Sequence, residues 1–344
     1  MKPKHTFTTA AEALIRDGEA RVRLGQNSAR LVPDYKDRLR CHCAPFFGDT
    51  PLEKIDSAML RRFRDVLVAK NLKQASVLVV MSFVSKTLRM AHDDGLIKQV
   101  PSIPRKGQKP SPRPAFSSAG YEKLLTTLKQ VEKGKPSIGF KGNKVDWELR
   151  ALVTFMVNSF TRPGDVFALK NKHVTIVPQD SEGPSYLRLN APSSKGHEAP
   201  IITMPVAVLI YQRTLERHTK AGFGKSEDFV FLPSKPGRAY AHEVVRRQFR
   251  LVLKHADLLA STKGVEHTLY SLRHTAITLR LLHAKDLDLV TLARTARTSV
   301  EMIDRYYASG LTAELNRDKL HSFRRPTRFL TDGASALTTK EKAV

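Results

Sequence analysis

The chain has 344 residues, of which 41% are hydrophobic, so it is long enough for two domains with apolar cores and unlike a disordered chain. Its 58 Lys and Arg residues against 33 Asp and Glu give a formal net charge of +25, which indicates an anionic partner, either nucleic acid or a membrane. The sequence has no apolar run that could span a bilayer, and its first residues lack the apolar core of a signal peptide. Composition therefore favours nucleic acid over a membrane and predicts a cytoplasmic, nucleoid-associated protein.

Two cysteines, Cys41 and Cys43, flank His42. A structural zinc site takes four ligands, and no second Cys/His cluster in the sequence would complete one. A disulfide across a single intervening residue is geometrically unfavourable. We therefore expect two free thiols and no metal.

The first part of the chain has helical spacing of apolar residues. The pattern predicts helices over Thr9–Val22, Ser28–Ala44, Ser57–Ala69 (capped by Asp56) and Gln74–Gly95. The outer faces of the last two carry basic side chains that could contact DNA phosphates or simply face water: Arg61, Arg62, Arg64, Lys73, Lys86 and Arg89.

Between Lys98 and Ala115, five prolines alternate with basic residues that include Arg105 and Lys106. Because proline fixes φ and removes a hydrogen-bond donor, this stretch predicts an extended basic linker that could contact DNA. The predicted domains are a helical domain over 1–97, the linker over 98–115, a second domain over 116–329 and a flexible tail over 330–344.

The second domain mixes helices and strands, so the fold class predicted for the whole chain is mainly α with a small β-sheet (α+β). The predicted strands are Val174–Val177, Tyr186–Leu189 and Ala199–Thr203. The predicted helices are Ser117–Val131, Val145–Ser159, Val206–His218, Glu243–His255, Ser271–Leu282, Leu287–Thr295 and Val300–Tyr307.

Two arginines stand where helices are predicted to begin. Arg162 precedes Pro163, so its guanidinium would lie near free backbone N–H groups, and Asp165 could orient it. Arg273 falls in the first turn of an apolar helix, with Tyr270 on the same side. Taken alone, the first is better explained as an ordinary capped turn with a surface arginine, and a structural ion pair with an acidic partner would explain the second.

Two further positions could carry chemistry. Lys195 lies in a turn between two predicted strands, where an ammonium group could hydrogen-bond a nucleic-acid base or donate a proton to a leaving oxygen. Tyr306 and Tyr307 end the last predicted helix, and a tyrosine hydroxyl near cationic groups can act as a nucleophile. Most hairpin lysines do neither, and most tyrosines beside helices are core residues.

Taken in order, Arg162, Lys195, Arg273 and Tyr307 resemble the signature of the tyrosine recombinase (phage-type integrase) family. The surrounding segments support the resemblance, which spans Arg38 to Leu320. They are Arg162-Pro163-Gly164-Asp165, Tyr270-Ser271-Leu272-Arg273-His274-Thr275, Thr298-Ser299-Val300-Glu301-Met302-Ile303 and, in the first domain, Pro45-Phe46-Phe47-Gly48-Asp49.

The chain departs from the family pattern at three positions. Tyr270 stands where many members have histidine, Thr298 where they have histidine or tryptophan, and Arg297 where glycine is usual. The family spacing of nine residues fits both Thr298 to Tyr307 and Arg297 to Tyr306. The match of Thr298–Ile303 favours Tyr307, and Tyr306 remains the alternative nucleophile.

The resemblance implies a helical core-binding domain followed by a catalytic domain that cuts and rejoins double-stranded DNA through a 3′-phosphotyrosine, without metal, ATP or other cofactor. It implies that Arg162 and Arg273 bind the phosphate, Lys195 protonates the leaving oxygen, and Tyr270 and Thr298 add hydrogen bonds. It also implies a homotetramer on DNA with contacts near Leu311–Phe323, and accessory DNA-bending or directionality proteins. The alternatives are a non-catalytic DNA-binding regulator of the same fold and a relaxing topoisomerase.

Overall fold

The computed structural model of the protein describes residues 5–102, 113–181, 183–192, 199–262, 264–284 and 287–307. The chain divides into two compact units, Met1–Ser111 (unit 1) and Pro112–Val344 (unit 2). Helices dominate the described residues of both units, and unit 2 adds two small antiparallel sheets. The predicted fold class, mainly α with a small β component, is confirmed.

The described part of unit 1 is helical. Its α-helices are α1 (Phe7–Arg23), α2 (Leu31–Arg38), α3 (Ala44–Phe47), α4 (Ser57–Ala69) and α5 (Gln74–Asp93), with a 3-10 turn at Leu52–Lys54.

The start of α4 shows how the sequence sets these bounds. The Asp56 carboxylate accepts a hydrogen bond from the Met59 backbone N–H at 2.7 Å, which satisfies one of the unpaired donors of the first turn. Leu60, Phe63 and Leu67 follow at three- and four-residue intervals, and all three are buried in the core of unit 1. The predicted helix and its cap are both confirmed.

The prediction of one helix over Ser28–Ala44 holds in part: the chain is helical without a break from Leu31 to Phe47, but it is not α-helical throughout. Helix α2 begins at Leu31, and the chain then makes a π-helical turn at Leu39–Cys43, in which the Ala44 N–H bonds to the Leu39 carbonyl. Pro45 follows directly, and a proline ring clashes with the carbonyl four residues before it in a regular α-helix. The wider π-helical turn avoids this clash. Helix α3 then places Phe47 in the core, where its ring stacks on that of Phe7 with 4.5 Å between centroids.

Unit 2 has the remaining elements. Its helices are α6 (Ser118–Glu132), α7 (Trp147–Ser159), α8 (Pro163–Ala168), α9 (Val206–Lys220), α10 (Arg238–His255), α11 (Leu269–His283), α12 (Leu289–Thr295) and α13 (Val300–Tyr307). Its strands are β1 (Gly139–Phe140), β2 (Asn143–Lys144), β3 (Val174–Val177), β4 (Tyr186–Leu189) and β5 (Ile201–Ile202), with a 3-10 turn at Asn171–His173.

The larger sheet has the order β3-β4-β5, with both pairs antiparallel. Strands β3 and β4 have the predicted bounds, whereas β5 keeps only the middle of the predicted Ala199–Thr203. The hairpin of β1 and β2 was not predicted. Two residues per strand are too few to show an alternating pattern, so periodicity carries no signal there.

Helix α10 begins at Arg238 rather than at the predicted Glu243. The Arg238 guanidinium donates hydrogen bonds to four backbone carbonyls, those of Phe167, Phe231, Leu232 and Lys235, at 2.7 to 3.0 Å. These bonds fix the first helical residue to the preceding loop and to α8. They depend on residues distant in sequence, which is why local spacing placed the start too late.

Helix α7 packs against both α9 and α11 at the centre of unit 2, and α13 packs against α11 and α12. The ends of α7 and α12 and the beginning of α11 meet in the pocket described below. Of the helices within the described ranges, none has the length and apolar character needed to cross a membrane.

Candidate active site

Arg162 lies in the short connection between α7 and α8. Helix α7 ends when Phe160 adopts a left-handed conformation (φ 54°), and Arg162 then caps α8, with Pro163 at its first position. This is the helix junction that the sequence predicted. The residue is only 8% exposed, so it is a buried arginine rather than a surface residue of an ordinary turn.

The Arg162 guanidinium is held from two sides. Its Nη1 lies 3.5 Å from Asp165 Oδ2, and its Nη2 donates to the backbone carbonyl of Arg297, 135 residues away. Asp165 is itself buried. Asp165 therefore lies where the sequence placed it, beside Arg162 and in position to orient it.

Arg273 occupies the first turns of α11 and is 2% exposed. Its Nη1 donates to the carbonyl of Phe160 and its Nη2 to the carbonyl of Ala296. Both acceptors are uncharged carbonyl groups, whereas the alternative of a structural ion pair predicted an acidic partner for Arg273. Burial and then the positive charge of Arg162 lower the Arg273 pKa, so the two guanidinium groups are close enough to repel each other.

These arginines tie two loops, the α7–α8 connection and the α12–α13 connection, to helix α11. The Phe160 carbonyl, which binds Arg273, lies two residues before Arg162. The neighbouring carbonyls of Ala296 and Arg297 bind Arg273 and Arg162, respectively. Phe160 and Arg297, which each supply one carbonyl, both have positive φ, at 54° and 48°. Non-glycine residues in this region cost about 1–3 kcal/mol each and persist where the surroundings hold them.

The pocket has unsatisfied donors. The Nε atoms of Arg162 and Arg273 are buried and have no hydrogen-bond partner among the residues that the structure describes. A buried unpaired donor is unfavourable, and so is a pair of adjacent buried cations without sufficient counter-charge. Both costs fall when an anion with several acceptor oxygens binds between the guanidinium groups, as a phosphate does.

Tyr307 lies beside this cationic pair at the end of α13. Its ring stacks on that of His274, with 4.7 Å between centroids and 27° between planes. Burial raises the pKa of the Tyr307 hydroxyl to about 12, and the charge of Arg273, a hydrogen bond with Arg273 and the charge of Arg162 oppose that rise. The hydroxyl is therefore protonated at neutral pH and close to both arginines. Tyr306 precedes Tyr307 on the same helix, and both residues are partly exposed.

Tyr270 and His274 form one wall of the pocket. Their rings lie 5.3 Å apart, and the guanidinium of Arg113 lies 5.0 Å over the face of Tyr270. Sequence reasoning assigned a role to Tyr270 and missed His274. The signal for His274 was its position next to Arg273 and four residues after Tyr270, which places it one helical turn on from Tyr270.

Thr298 precedes α13 and is partly buried, and its backbone N–H donates to the Ala293 carbonyl at 2.9 Å. Lys195, which was predicted to be the proton donor, lies outside the described residues. So do Arg105 and Lys106 of the predicted linker, Leu311–Phe323 and the tail over 330–344.

The basic residues that were predicted to contact DNA from the first domain are exposed on α4, α5 and the residue before α5. Lys86 donates to the hydroxyl of Tyr35 at 3.0 Å, so one of them is also part of the packing of unit 1. The set comprises Arg61, Arg62, Lys73, Lys86 and Arg89. Within the described ranges, no group of three or more His, Cys, Asp and Glu side chains is arranged to hold a metal ion.

We expect the His274 ring to titrate far below the usual range of histidine. Burial, followed by the charges of Arg273 and Arg113, lowers its pKa from 6.5 to about 4. The unfolded chain therefore binds a proton before the folded chain does, so the stability present above pH 6.5 is lost as the pH falls towards 4. At about 1.4 kcal/mol per pKa unit, a pKa lowered from 6.5 to about 4 makes the full loss about 3–4 kcal/mol.

Urea unfolding at pH 7 and at pH 4.5 measures this effect in the wild type and in His274→Gln. The glutamine variant should lose less stability on acidification, while His283→Gln, an exposed change on the same helix, should behave as the wild type does. Equal acid sensitivity of His274→Gln and the wild type would contradict a buried neutral His274.

The sequence matches no protein-family model and no curated protein sequence. Solved structures do match it. The integrase of the transposon Tn1549, in complex with circular intermediate DNA, aligns with a TM-score of 0.64 at 14% identity, covering 93% of this chain and 100% of that one. A lambda integrase dimer bound to a COC′ core site aligns with a TM-score of 0.59 at 14% identity, covering 95% and 81%.

A third structure, a lambda integrase tetramer bound to a Holliday junction, aligns with a TM-score of 0.61 at 16% identity, covering 86% of this chain and 78% of that one. These alignments include both units of the chain. The protein therefore has the fold of these integrases.

Proposed function

We propose that this protein is a site-specific DNA recombinase of the integrase type, and that Tyr307 is its nucleophile. The observation that carries the proposal is the pair of buried guanidinium groups, Arg162 and Arg273, whose unpaired Nε atoms lie in the same pocket as the Tyr307 hydroxyl. The fold, shared with DNA-bound integrases, gives this pocket a context in which the anion is a DNA phosphodiester.

In the proposed cleavage step, Tyr307 Oη attacks the phosphorus atom while the bond from phosphorus to the 5′-oxygen breaks. The products are a 3′-phosphotyrosine and a free 5′-hydroxyl. In the joining step, the 5′-hydroxyl of another strand attacks the phosphotyrosine and releases Tyr307. One phosphoester bond replaces another in each step, so the reaction needs no external energy source.

The two arginines support this chemistry electrostatically. Negative charge accumulates on the non-bridging oxygens in the transition state, and donors already fixed in position stabilise it without reorganising. Their backbone ties to Phe160, Ala296 and Arg297 provide that fixed position. Their charges also oppose the burial that raises the pKa of Tyr307, and so favour loss of its proton during attack.

The remaining predicted residues take supporting roles in the proposal. Lys195 protonates the departing 5′-oxygen, Tyr270 and Thr298 contribute hydrogen bonds, and Asp165 orients Arg162. Its position one turn before Arg273, beside His274, supports the role proposed for Tyr270.

For the DNA itself, we propose that unit 1 is a core-binding domain and unit 2 the catalytic domain. The exposed basic residues of α4 and α5 then contact DNA backbone phosphates. Such contacts fix the position of the protein on the duplex without reading the base sequence. By analogy with the lambda integrase tetramer, the working assembly is a homotetramer on paired sites, with accessory proteins able to set its direction.

A covalent trapping assay tests this function. A binding site is first selected as the duplexes that the protein retains from a random-sequence pool. This site is then synthesised with a nick close to each candidate phosphate. The nick lets the fragment released by cleavage diffuse away, so that the covalent complex accumulates. Wild-type protein should give a protein–DNA band that survives denaturation. Tyr307→Phe should lose this band, and Tyr306→Phe, the matched change on the neighbouring residue, should keep it.

Other outcomes are equally informative. Loss of the band in Tyr306→Phe alone would move the nucleophile by one residue. If wild-type protein gives no band on DNA that it binds, the protein is a non-catalytic DNA-binding regulator of the same fold rather than an enzyme.

A further inference from the structure

Arg297 is an unusual residue for its position between α12 and α13. Its φ is 48°, a conformation that glycine adopts without strain and arginine does not. The residue is also charged and only 2% exposed. A buried cation on a strained backbone is stable only where its contacts compensate for both costs, so those contacts indicate what Arg297 does.

The side chain of Arg297 bonds to two carbonyls beside the larger sheet. Its Nε donates to the Ala199 carbonyl at 2.7 Å, and its Nη1 donates to the Ala191 carbonyl at 2.9 Å. Ala191 follows β4 by two residues, and Ala199 precedes β5 by two. The planar fork of arginine can make both bonds at once, whereas a lysine presents a single ammonium group. The Arg297 side chain therefore fastens the α12–α13 connection to residues that flank two adjacent strands.

The backbone carbonyl of Arg297 makes a different contact. It accepts a hydrogen bond from Nη2 of Arg162, which forms the anion pocket together with Arg273. Nη1 of Arg162 lies 3.5 Å from Asp165 Oδ2, so one carbonyl and one carboxylate hold this guanidinium. The Arg162 Nε is buried and has no partner among the described residues. The direction in which that Nε points therefore depends on where the Arg297 carbonyl lies.

Arg297 differs from the two arginines of the anion pocket in how its donors are used. Its Nε is bonded to Ala199, whereas the Nε atoms of Arg162 and Arg273 are buried without a partner in the described part of the chain. Burial lowers the Arg297 pKa, the charge of Asp165 opposes this, and the charge of Arg162 lowers it further. The Arg297 guanidinium therefore lies near the pocket, but its bonded donors hold backbone rather than wait for a phosphate.

We propose that Arg297 is a positioning residue for Arg162. Its side-chain bonds fix the α12–α13 connection, and the Arg297 carbonyl in turn holds the Arg162 guanidinium towards the scissile phosphate. The inference rests on the proposed function, in which Arg162 stabilises charge on a non-bridging oxygen in the transition state. Arg297 itself contacts neither the DNA nor the reacting atoms. Loss of its two side-chain bonds should therefore slow cleavage although both arginines of the pocket and Tyr307 remain.

The test compares Arg297→Gly, Arg297→Lys, Arg162→Met and the double variant of Arg297→Gly with Arg162→Met. Glycine accepts the left-handed backbone and keeps the carbonyl that binds Arg162, so it removes only the side-chain bonds. Lysine keeps the charge but cannot make both bonds. Arg294→Ala, an exposed change on α12, is the control. Cleavage is measured in single turnover, at saturating protein, on the duplex selected for the trapping assay.

We expect Arg297→Gly to cleave about 100-fold more slowly than the wild type, which is the scale of a small misplacement in a catalytic site. Its affinity for the duplex should stay close to that of the wild type. Adding Arg297→Gly to Arg162→Met should slow cleavage no further, because the side chain that Arg297 positions is already absent. Arg297→Lys should cleave at an intermediate rate, and Arg294→Ala at the wild-type rate.

A change in the substrate separates positioning from a general structural role. In a methylphosphonate, a neutral methyl group replaces one non-bridging oxygen of the scissile phosphate, and the two stereoisomers differ in which oxygen is lost. Arg162→Met should be slowed least on the isomer that lacks the oxygen bound by Arg162. Arg297→Gly should prefer the same isomer and cleave it within about threefold of the wild-type rate. A defect in folding or in the placement of Tyr307 would be equal on both isomers.

Equal slowing of Arg297→Gly on both isomers, or additive losses in the double variant, would overturn the positioning role. Wild-type cleavage by Arg297→Lys would also overturn it, since the effect would then belong to the charge rather than to the two bonds. That comparison decides the matter if Arg297→Gly does not fold. Wild-type protein that cleaves no substrate at all would instead remove the proposed function, so the two failures are distinguishable.

Discussion

Replacing Arg273 by methionine is expected to slow DNA strand cleavage about 10³–10⁵-fold, the range found when an arginine that stabilises a phosphoryl-transfer transition state is removed. Methionine occupies similar space but carries no charge, so the phosphate loses one of its two guanidinium partners. Arg162→Met should have an effect of the same order. Because other contacts dominate DNA affinity, binding should change much less than the rate of cleavage.

Single-turnover cleavage of the nicked duplex, at saturating protein, separates the chemical step from binding. Arg294→Ala provides the control, since it removes an exposed arginine from the neighbouring helix α12. Arg273→Lys should recover only part of the rate, because an ammonium group cannot keep the two carbonyl ties and still reach the phosphate. Near-normal cleavage by Arg273→Met would exclude the pocket as the catalytic site.

The second large effect is expected on stability, from loss of the Asp165 charge. Asp165 is 2% exposed, lies 3.5 Å from Arg162 and acts electrostatically on both Arg273 and Arg297. Removing one partner from a buried charge pair typically costs about 3–5 kcal/mol. At about 2–4 °C per kcal/mol, Asp165→Asn should lower the melting temperature of unit 2 by about 10 °C.

Calorimetry with and without sulfate measures this loss and its cause. A sulfate ion that binds the folded pocket stabilises it by mass action, and it should restore more stability to Asp165→Asn than to the wild type. Asp304→Asn, an exposed change on α13, should have little effect in either buffer. A melting temperature for Asp165→Asn equal to that of the wild type would show that the arginines do not need this carboxylate.

Much of the fold could be predicted from the local sequence pattern. The apolar stripes of α4 and α5, the cap at Asp56 and the bounds of β3 and β4 were predicted because each depends on neighbours within a few residues. The π-helical turn before Pro45 and the early start of α10 were not predicted. The first requires weighing a proline clash against continuous apolar spacing, and the second depends on carbonyls brought together by the tertiary fold.

The candidate site, like the fold, could be predicted only in part. Residue type and order brought Arg162, Arg273 and Tyr307 to attention, and the structure gathers them in one pocket of unit 2. The contacts that hold them could not be predicted, because their acceptors are backbone carbonyls as far as 135 residues away. Every residue has such a carbonyl, so sequence gives no sign of which one is used. For the same reason Arg297 looked like a simple departure from a glycine pattern.

The long-range ties have a consequence for the order in which the protein is made. Arg162 and Arg273 cannot complete their carbonyl contacts until residues 296 and 297 have left the ribosome, and Tyr307 emerges later still. Unit 1, which is N-terminal, can fold before this point. If unit 1 binds DNA as proposed, a nascent chain acquires that capacity before its candidate active site is complete.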